Sequence, residues 1–234
     1  MQQGAGSRFK EKMRGGQAVA VINADYPSSG LVEFLGQPAL GLDAVMFDTE
    51  QGSPGIESVE EMARASRLTG LCSLARLFSP EPWVIERLML RGIDGIIVPR
   101  LDSAAQARQV VDTVRYCFPD GGRDKVIVVQ IESAAAHADL DGFLAVDGID
   151  AYFIGPVDLS RSMGHKGDYR VPAVAQAIDD ILARVNAAGK TAGTLVKPGD
   201  ADEWLARGAR FLYFHVNDWL RIGARAFPLE RTGA

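Results

Sequence analysis

Cysteine is scarce in this chain of 234 residues: there are two, Cys72 and Cys117, and neither stands beside a histidine. That excludes a disulfide framework and a sulfur-ligated metal cluster, and it argues against a cysteine nucleophile; both read as buried thiols of a reducing compartment. No run of basic residues interrupts the net charge of −5, which argues against nucleic acid as a partner. No apolar stretch approaches the roughly 18 residues of a membrane span, and Met1 to Gly16 is polar and charged without the apolar centre of a signal peptide. The expected setting is therefore the cytoplasm, with no membrane partner and a small molecule as substrate. No Pro- or Ser-rich linker divides the chain, and the Gly-rich fingerprint of a dinucleotide-binding sheet is missing.

What is present is a hydrophobic share of 47%, enough for a large core, arranged as alternating apolar runs and amphipathic stretches. The short apolar runs are Ala18–Asn23, the block from Asp43, CSLARLF with Arg76 at its tip, DGIIVPRL, the run from Val126 ending in Gln130-Ile131-Glu132, Ala151–Ile154, TAGTLV and RFLYFHVND. Helical spacing predicts helices between them, including Ile56 to Leu68, Ser103 to Tyr116, Ser133 to Val146 and Val171 to Ala188. Eight strands alternating with helices predict a single (β/α)8 TIM barrel over residues 1–234, with 1–16 as a mobile leading segment. A doubly wound sheet is the alternative.

The stretch from Val126 to Ser160 organises the rest. Two successive strands end in carboxylates, Glu132 and Asp158, and strands joined through a helix lie parallel and adjacent, so both side chains emerge at one edge. Two readings stand at this point: the pair grips a divalent metal, or Glu132 merely opens a helix and Asp158 caps a short one. The other groups expected at the strand ends are Glu50-Gln51, Arg76, Arg100, Gln130 and His215.

The blocks FDTEQG, LARLFSPEP, GIDGIIVPRLDSAAQA, VVQIES and VDGIDAYFIGPVDLSRSMGHKGD resemble the HpcH/HpaI family of metal-dependent pyruvate aldolases, relatives of the citrate lyase beta subunits. The likeness runs from about Ala18 to Ala226, and its most specific parts are QIE and IGPVDLSRSMG. It implies a TIM barrel assembled as a homo-oligomer, trimer or hexamer. It also implies a 2-oxo acid bound on Mg2+, Mn2+ or Co2+, and a carbon–carbon bond cleaved or formed through a pyruvate enolate, with an aldehyde as the second reactant. Carried over, Glu132 and Asp158 are the metal ligands, Gln130 and the backbone around Val157 and Asp158 contact the 2-oxo acid, and Arg76 stabilises the enolate oxygen. An oxygen-only ligand set suits a hard cation better than zinc.

The chain departs from that pattern in places that matter. The family base is a histidine where this chain has Gln51, and the aspartate that tunes it falls at Leu90. A glutamine amide neither gains nor loses a proton near neutral pH and cannot act as a general base. His215 stands where relatives commonly carry glycine and is the candidate for a relocated base. His165, in the MGHKG loop, has two readings, a contact to the carboxylate of an acceptor or a solvated loop histidine, and His137 is expected to face away from the metal. The segment from Tyr116 to Val126 is shorter than in relatives, where it shapes the mouth and the subunit contacts. Three functions follow: a metal-dependent aldolase, a beta-decarboxylase of an oxaloacetate-like acid that needs no base, or a metal- and 2-oxo-acid-binding paralogue with weak turnover.

Overall fold

A computed structural model describes residues 3–226. Eight strands, β1 (Val19–Asn23), β2 (Ala44–Asp48), β3 (Cys72–Arg76), β4 (Gly95–Val98), β5 (Val126–Ile131), β6 (Ala151–Ile154), β7 (Thr191–Leu195) and β8 (Phe211–His215), pair in parallel and in chain order, with β8 closing on β1. The single TIM barrel expected from the alternation is the observed fold. Its helices are α1 (Ala5–Arg14), α2 (Ser29–Leu35), α3 (Ile56–Thr69), α4 (Pro82–Met89), α5 (Ala104–Cys117), α6 (Ala134–Ala138), α7 (Leu140–Leu144), α8 (Pro156–Ser162), α9 (Pro172–Ala187), α10 (Ala201–Ala206) and α11 (Val216–Ala226).

Because successive strand residues point to opposite faces, each strand feeds two cores. Ile22, Val45, Phe47, Ala75, Ile96, Val129 and Tyr152 face outward and pack against the helices. Val21, Met46, Leu74, Ile97, Val128, Phe153 and Phe211 face inward and fill the barrel. Gly193 makes room for that filling, since a Cβ there would lie 2.4 Å from the Cβ of Phe211. The same parity carries upward along each strand, so Asn23, Asp48, Arg76, Gln130 and His215 continue the inward rows at the carboxyl end.

Three expectations meet a different arrangement. Residues 5–14 of the segment expected to be mobile form α1, which lies under the barrel with Phe9 and Met13 buried against the inner core. Two apolar residues one turn apart suffice, because the helix covers only the barrel's end. The helix expected from Ser133 to Val146 is broken at Asp139 (φ −94°, ψ 17°), whose carboxylate accepts the Ala104 N–H at 2.7 Å instead of continuing a helix. The short connection between α5 and β5 runs at the amino-terminal end of the strands, where Lys10 donates to the carbonyls of Arg123 and Lys125 at 3.1 and 2.6 Å. In this chain it borders α1 and not the mouth.

Both cysteines are free; Cys72 is buried and Cys117 half-buried. Among the described residues, no helix is long and apolar enough to cross a membrane.

Candidate active site

The carboxyl ends of the strands enclose a cavity of about 510 Å³ whose lining includes Asp25, Arg76, Gln130, Asp158, Tyr213 and His215, with Gln51 at its edge. Register explains which groups meet. Asp48 on β2 stands opposite Arg76 on β3, and Asn23 on β1 opposite His215 on β8.

Arg76 makes a forked pair with Asp48, Nε to Oδ1 at 2.9 Å and Nη2 to Oδ2 at 2.5 Å. Glu50 lies farther from Arg76 at 3.4 Å and is taken by Arg100 at 2.7 Å. Burial raises the carboxyl of Asp48, but the bonds and charge of Arg76 outweigh it and hold the group below the ordinary carboxylate range. Burial likewise disfavours the charged guanidinium, and Asp48 more than reverses this, so Arg76 stays a fixed cation. With Nε and Nη2 spent on Asp48, Nη1 is the edge left to the cavity.

Glu132 follows the last residue of β5 and is buried, 8% exposed. One oxygen accepts the Arg100 N–H at 2.6 Å, and the other accepts the Gln130 amide at 2.6 Å. Arg100 holds a left-handed backbone (φ +59°) to aim that N–H. Burial first, then the neighbouring charges of Glu50 and Asp158, push Glu132 up from 4.5 to about 7 in spite of the Arg100 bond. Asp158 lies in the first turn of α8 and binds Arg161 through one oxygen at 2.9 Å.

A small hard cation fits these residues on three counts. Glu132 is a desolvated carboxylate repelled by Asp158, and a dication relieves both penalties. Gln130 Oε1 is buried without a partner, and a cation or its water supplies one. Gly155 keeps the space beside Glu132 open, since a Cβ there would lie 2.9 Å from its Oε2. No cluster of three or more His, Cys, Asp or Glu ligands occurs among the described residues, so two carboxylates leave further positions to substrate and water.

On the opposite wall, His215 Nδ1 lies 2.7 Å from Asp25 Oδ1, and its Nε2 lies 3.3 Å from the Tyr213 hydroxyl. Sequence reasoning placed His215 here but missed Asp25, Asn23 and Tyr213, and noted Asp48 only as a strand end. Inward parity with Val21, Met46 and Phe211 is the signal that finds Asn23, Asp48 and Tyr213. Gln51 is exposed, with its N–H on Asp48 Oδ1 at 3.2 Å. Leu90 follows α4 on the connection into β4, at the amino-terminal end of the barrel. Within one chain these two positions do not meet. His137 faces α9, bonded to Asp180 at 2.8 Å, and His165 is not part of the cavity lining.

Asp48, Arg76, Asp158 and His215 line one cavity at the strand ends, with Glu132 outside that lining but against its members Gln130 and Gly155; carboxylates, a fixed guanidinium and an imidazole so placed are the equipment of a TIM-barrel enzyme acting on a small anion. Residues 36–218 match the profile of the HpcH/HpaI aldolase/citrate lyase family, and the chain belongs to that family. It is a lyase. A hydroxypyruvate/pyruvate aldolase of Roseovarius nubinhibens is 31% identical over 80% of this chain and 81% of its own. A 2-keto-3-deoxy-L-rhamnonate aldolase of Salmonella gallinarum is 30% identical over 91% of this chain and 88% of its own. A family protein from Burkholderia cenocepacia superposes with a TM-score of 0.87 over 94% of this chain and 97% of its own at 23% identity, which bears on the fold.

Proposed function

We propose that the chain is a divalent-cation-dependent carbon–carbon lyase that makes and uses the enolate of pyruvate in the barrel mouth. The observation that carries this is Glu132: a buried carboxylate raised to about 7, next to a second carboxylate and, among the described residues, without a side-chain cation in ion-pair range. Glu132 and Asp158 would hold Mg2+, Mn2+ or Co2+, which supplies Lewis-acid polarisation of the 2-oxo group. Gln130 and the first-turn N–H groups of Val157 and Asp158, which have no acceptor within the helix, would orient the 2-oxo acid. Arg76, anchored by Asp48, adds a fixed positive charge where oxygen becomes negative, a contribution of about 3 kcal/mol when one such donor is removed. Gln51 binds by hydrogen bonds alone.

The relatives named as aldolases favour an aldol reaction with an aldehyde as the other reactant. The substitution at Gln51 favours beta-decarboxylation as a second reaction of the same site, because loss of CO2 leaves the enolate with no proton to abstract. The test is pyruvate release from oxaloacetate and from a 4-hydroxy-2-oxo acid, with Mg2+ and with EDTA, against a metal-only blank. Release with Mg2+ and none with EDTA is expected, and Arg76→Ala should lower kcat about a hundredfold while metal affinity moves less than threefold. Absence of metal-dependent release from both substrates overturns the reading in favour of a binding paralogue. The cytoplasm and a homo-oligomeric state, trimer or hexamer, complete the proposal.

A further inference from the structure

The enolate chemistry just proposed needs a proton acceptor whenever the donor is pyruvate itself, and the residue at position 51 cannot serve. We propose that His215 Nε2 takes the proton from the methyl carbon of pyruvate, and that Asp25 is the positioning residue that keeps the ring proton on Nδ1. The inference rests on the reading of the site as a pyruvate-enolate lyase.

The tautomer follows from Asp25. Its Oδ1 is 2.7 Å from Nδ1 of His215, and its Oδ2 accepts the Asn217 N–H at 3.1 Å. A carboxylate only accepts and its contact is far shorter than that of the Asn23 amide, 3.4 Å from Nδ1, so in the neutral ring the proton sits on Nδ1 and the Nε2 lone pair faces the Tyr213 hydroxyl. The ring is also held mechanically. Tyr213 packs edge-to-face on it at 5.1 Å between centroids, and Tyr213 in turn packs on Phe153 and Phe153 on Phe211, so the imidazole crowns an aromatic column rising through the barrel. Tyr213 Oη accepts the Asn23 amide at 3.0 Å and lies 3.3 Å from Nε2. That last bond is long, and the hydroxyl turns about its C–O bond to release Nε2.

Asp25 is itself placed at some cost. It adopts a left-handed backbone (φ +58°), uncommon for a side chain with a Cβ, and the Asn23 side chain accepts its N–H at 3.0 Å to hold that turn.

Other ionisable groups on the cavity wall are committed elsewhere. Asp48 has both oxygens on Arg76, Tyr213 is kept protonated by burial, and Asp158 belongs to the cation under the proposed reading. Asp25 is saturated as described. The step balances as follows: the methyl C–H bond breaks, its electron pair becomes the C2–C3 double bond, the carbonyl pair moves to oxygen, and the proton joins Nε2 to give an imidazolium stabilised by Asp25. Return of that proton to carbon, or to the aldehyde oxygen in aldol addition, restores the neutral ring.

The experiment compares two reactions of the Mg2+-loaded protein. Exchange of pyruvate methyl protons in D2O, followed by 1H NMR, needs a proton acceptor; oxaloacetate decarboxylation does not. Wild type is expected to do both. In His215→Asn and His215→Gln the ratio of exchange to decarboxylation is expected to fall at least a hundredfold, the scale of general-base catalysis. In Asp25→Asn the Asn217 N–H still requires an acceptor, so the amide turns its NH2 toward Nδ1 and drives the ring proton onto Nε2. Exchange should again fall at least a hundredfold, as for a histidine locked in the wrong tautomer. Ring 15N shifts in metal-free protein give a readout separate from turnover, and with three histidines in the chain the assignment is direct: Nδ1–H in wild type, Nε2–H in Asp25→Asn. Decarboxylation without exchange in wild type, an unchanged ratio in both His215 variants, or an Nε2–H tautomer in wild type overturns the inference while leaving the lyase reading intact. Loss of both reactions in wild type overturns the lyase reading and this inference with it.

Discussion

Under the barrel, Phe9 packs edge-to-face on Phe211 at 6.1 Å, and Lys10 is 7% exposed with its ammonium on two carbonyls and on Asp150 at 3.1 Å. At the mouth, by contrast, Glu132 is buried with no side-chain cation in ion-pair range and Gln130 Oε1 has no partner among the described residues, and Arg100 and Asp25 hold left-handed backbones. Both ends bury charge at the tips of the same strands. Below, Lys10 has Asp150 as its counter-charge and two carbonyls as acceptors, which is how buried ions are tolerated, although burial still holds Asp150 above the ordinary carboxylate range. Above, carboxylates crowd one another and polar atoms await a ligand. The difference separates stability from reactivity along the barrel axis, as expected of this fold.

The sharpest test is Glu132→Gln, where the two properties should move in opposite directions. With Mg2+, turnover should fall to the metal-only blank; wild-type rates would remove the site assignment. Without metal the variant should be the more stable protein. Glu132 titrates at about 7 when folded against an ordinary 4.5, so the folded form binds the proton more tightly than the unfolded chain. Wild type therefore loses stability as pH rises from about 4.5 to about 7 and keeps the deficit above that, up to about 3 kcal/mol. The glutamine has no charge to desolvate, and once the Gln130 amide, which now points its NH2 at this side chain, turns over, its oxygen accepts from the new NH2. Melting in EDTA at pH 8 and at pH 4.5 checks this: a gain at the first pH that vanishes at the second is expected. The counterpart below is Lys10→Met, which leaves Asp150 buried without its nearest cation. A cost of about 3 kcal/mol is expected, a drop in Tm of roughly 10 °C at this chain length, with kcat unchanged. A fall in kcat beyond threefold would show that the two ends are coupled.

Much of this was legible in the sequence because a barrel translates strand order into spatial order. Arg76, Gln130, Glu132 and His215 lie at or just past strand ends, and ends of parallel strands converge wherever helices link them; Asp158, expected to end a strand, instead lies four residues past β6 in the first turn of α8. Pairing across that ring was harder to read. Arg76 takes Asp48 and not Glu50, because Asp48 is in phase with Met46 and Ala44, which face inward, whereas Glu50 lies beyond the end of β2. Asp25 was the least accessible, since it sits in a loop, depends on a left-handed backbone, and meets a residue 190 positions away. The amphipathic stripe of α1 was visible in Phe9 and Met13, but a charged segment ahead of the first strand gives no sign of the barrel end it covers.

The smallest expected effect decides which wall of the mouth handles the proton. Gln51→His restores an imidazole where the resemblance expects one, at an exposed position on the cavity edge. Leu90, the place of its tuning acid, lies at the other end of this barrel, so nothing fixes the new ring's tautomer within the chain. A second, unoriented base adds little to a site where His215 is already aligned by Asp25, and exchange of pyruvate methyl protons should rise less than threefold. If instead the rate climbs tenfold or more, proton abstraction limits the natural protein and the wall formed by β8 and β1 is not doing it. Combining Gln51→His with His215→Asn separates the cases further. Recovery of most of the lost exchange in the double variant would show that position 51 can still reach the methyl carbon. No recovery would show that the donor lies toward Asp25 and Tyr213, which is where an acceptor aligned from β8 requires it to be.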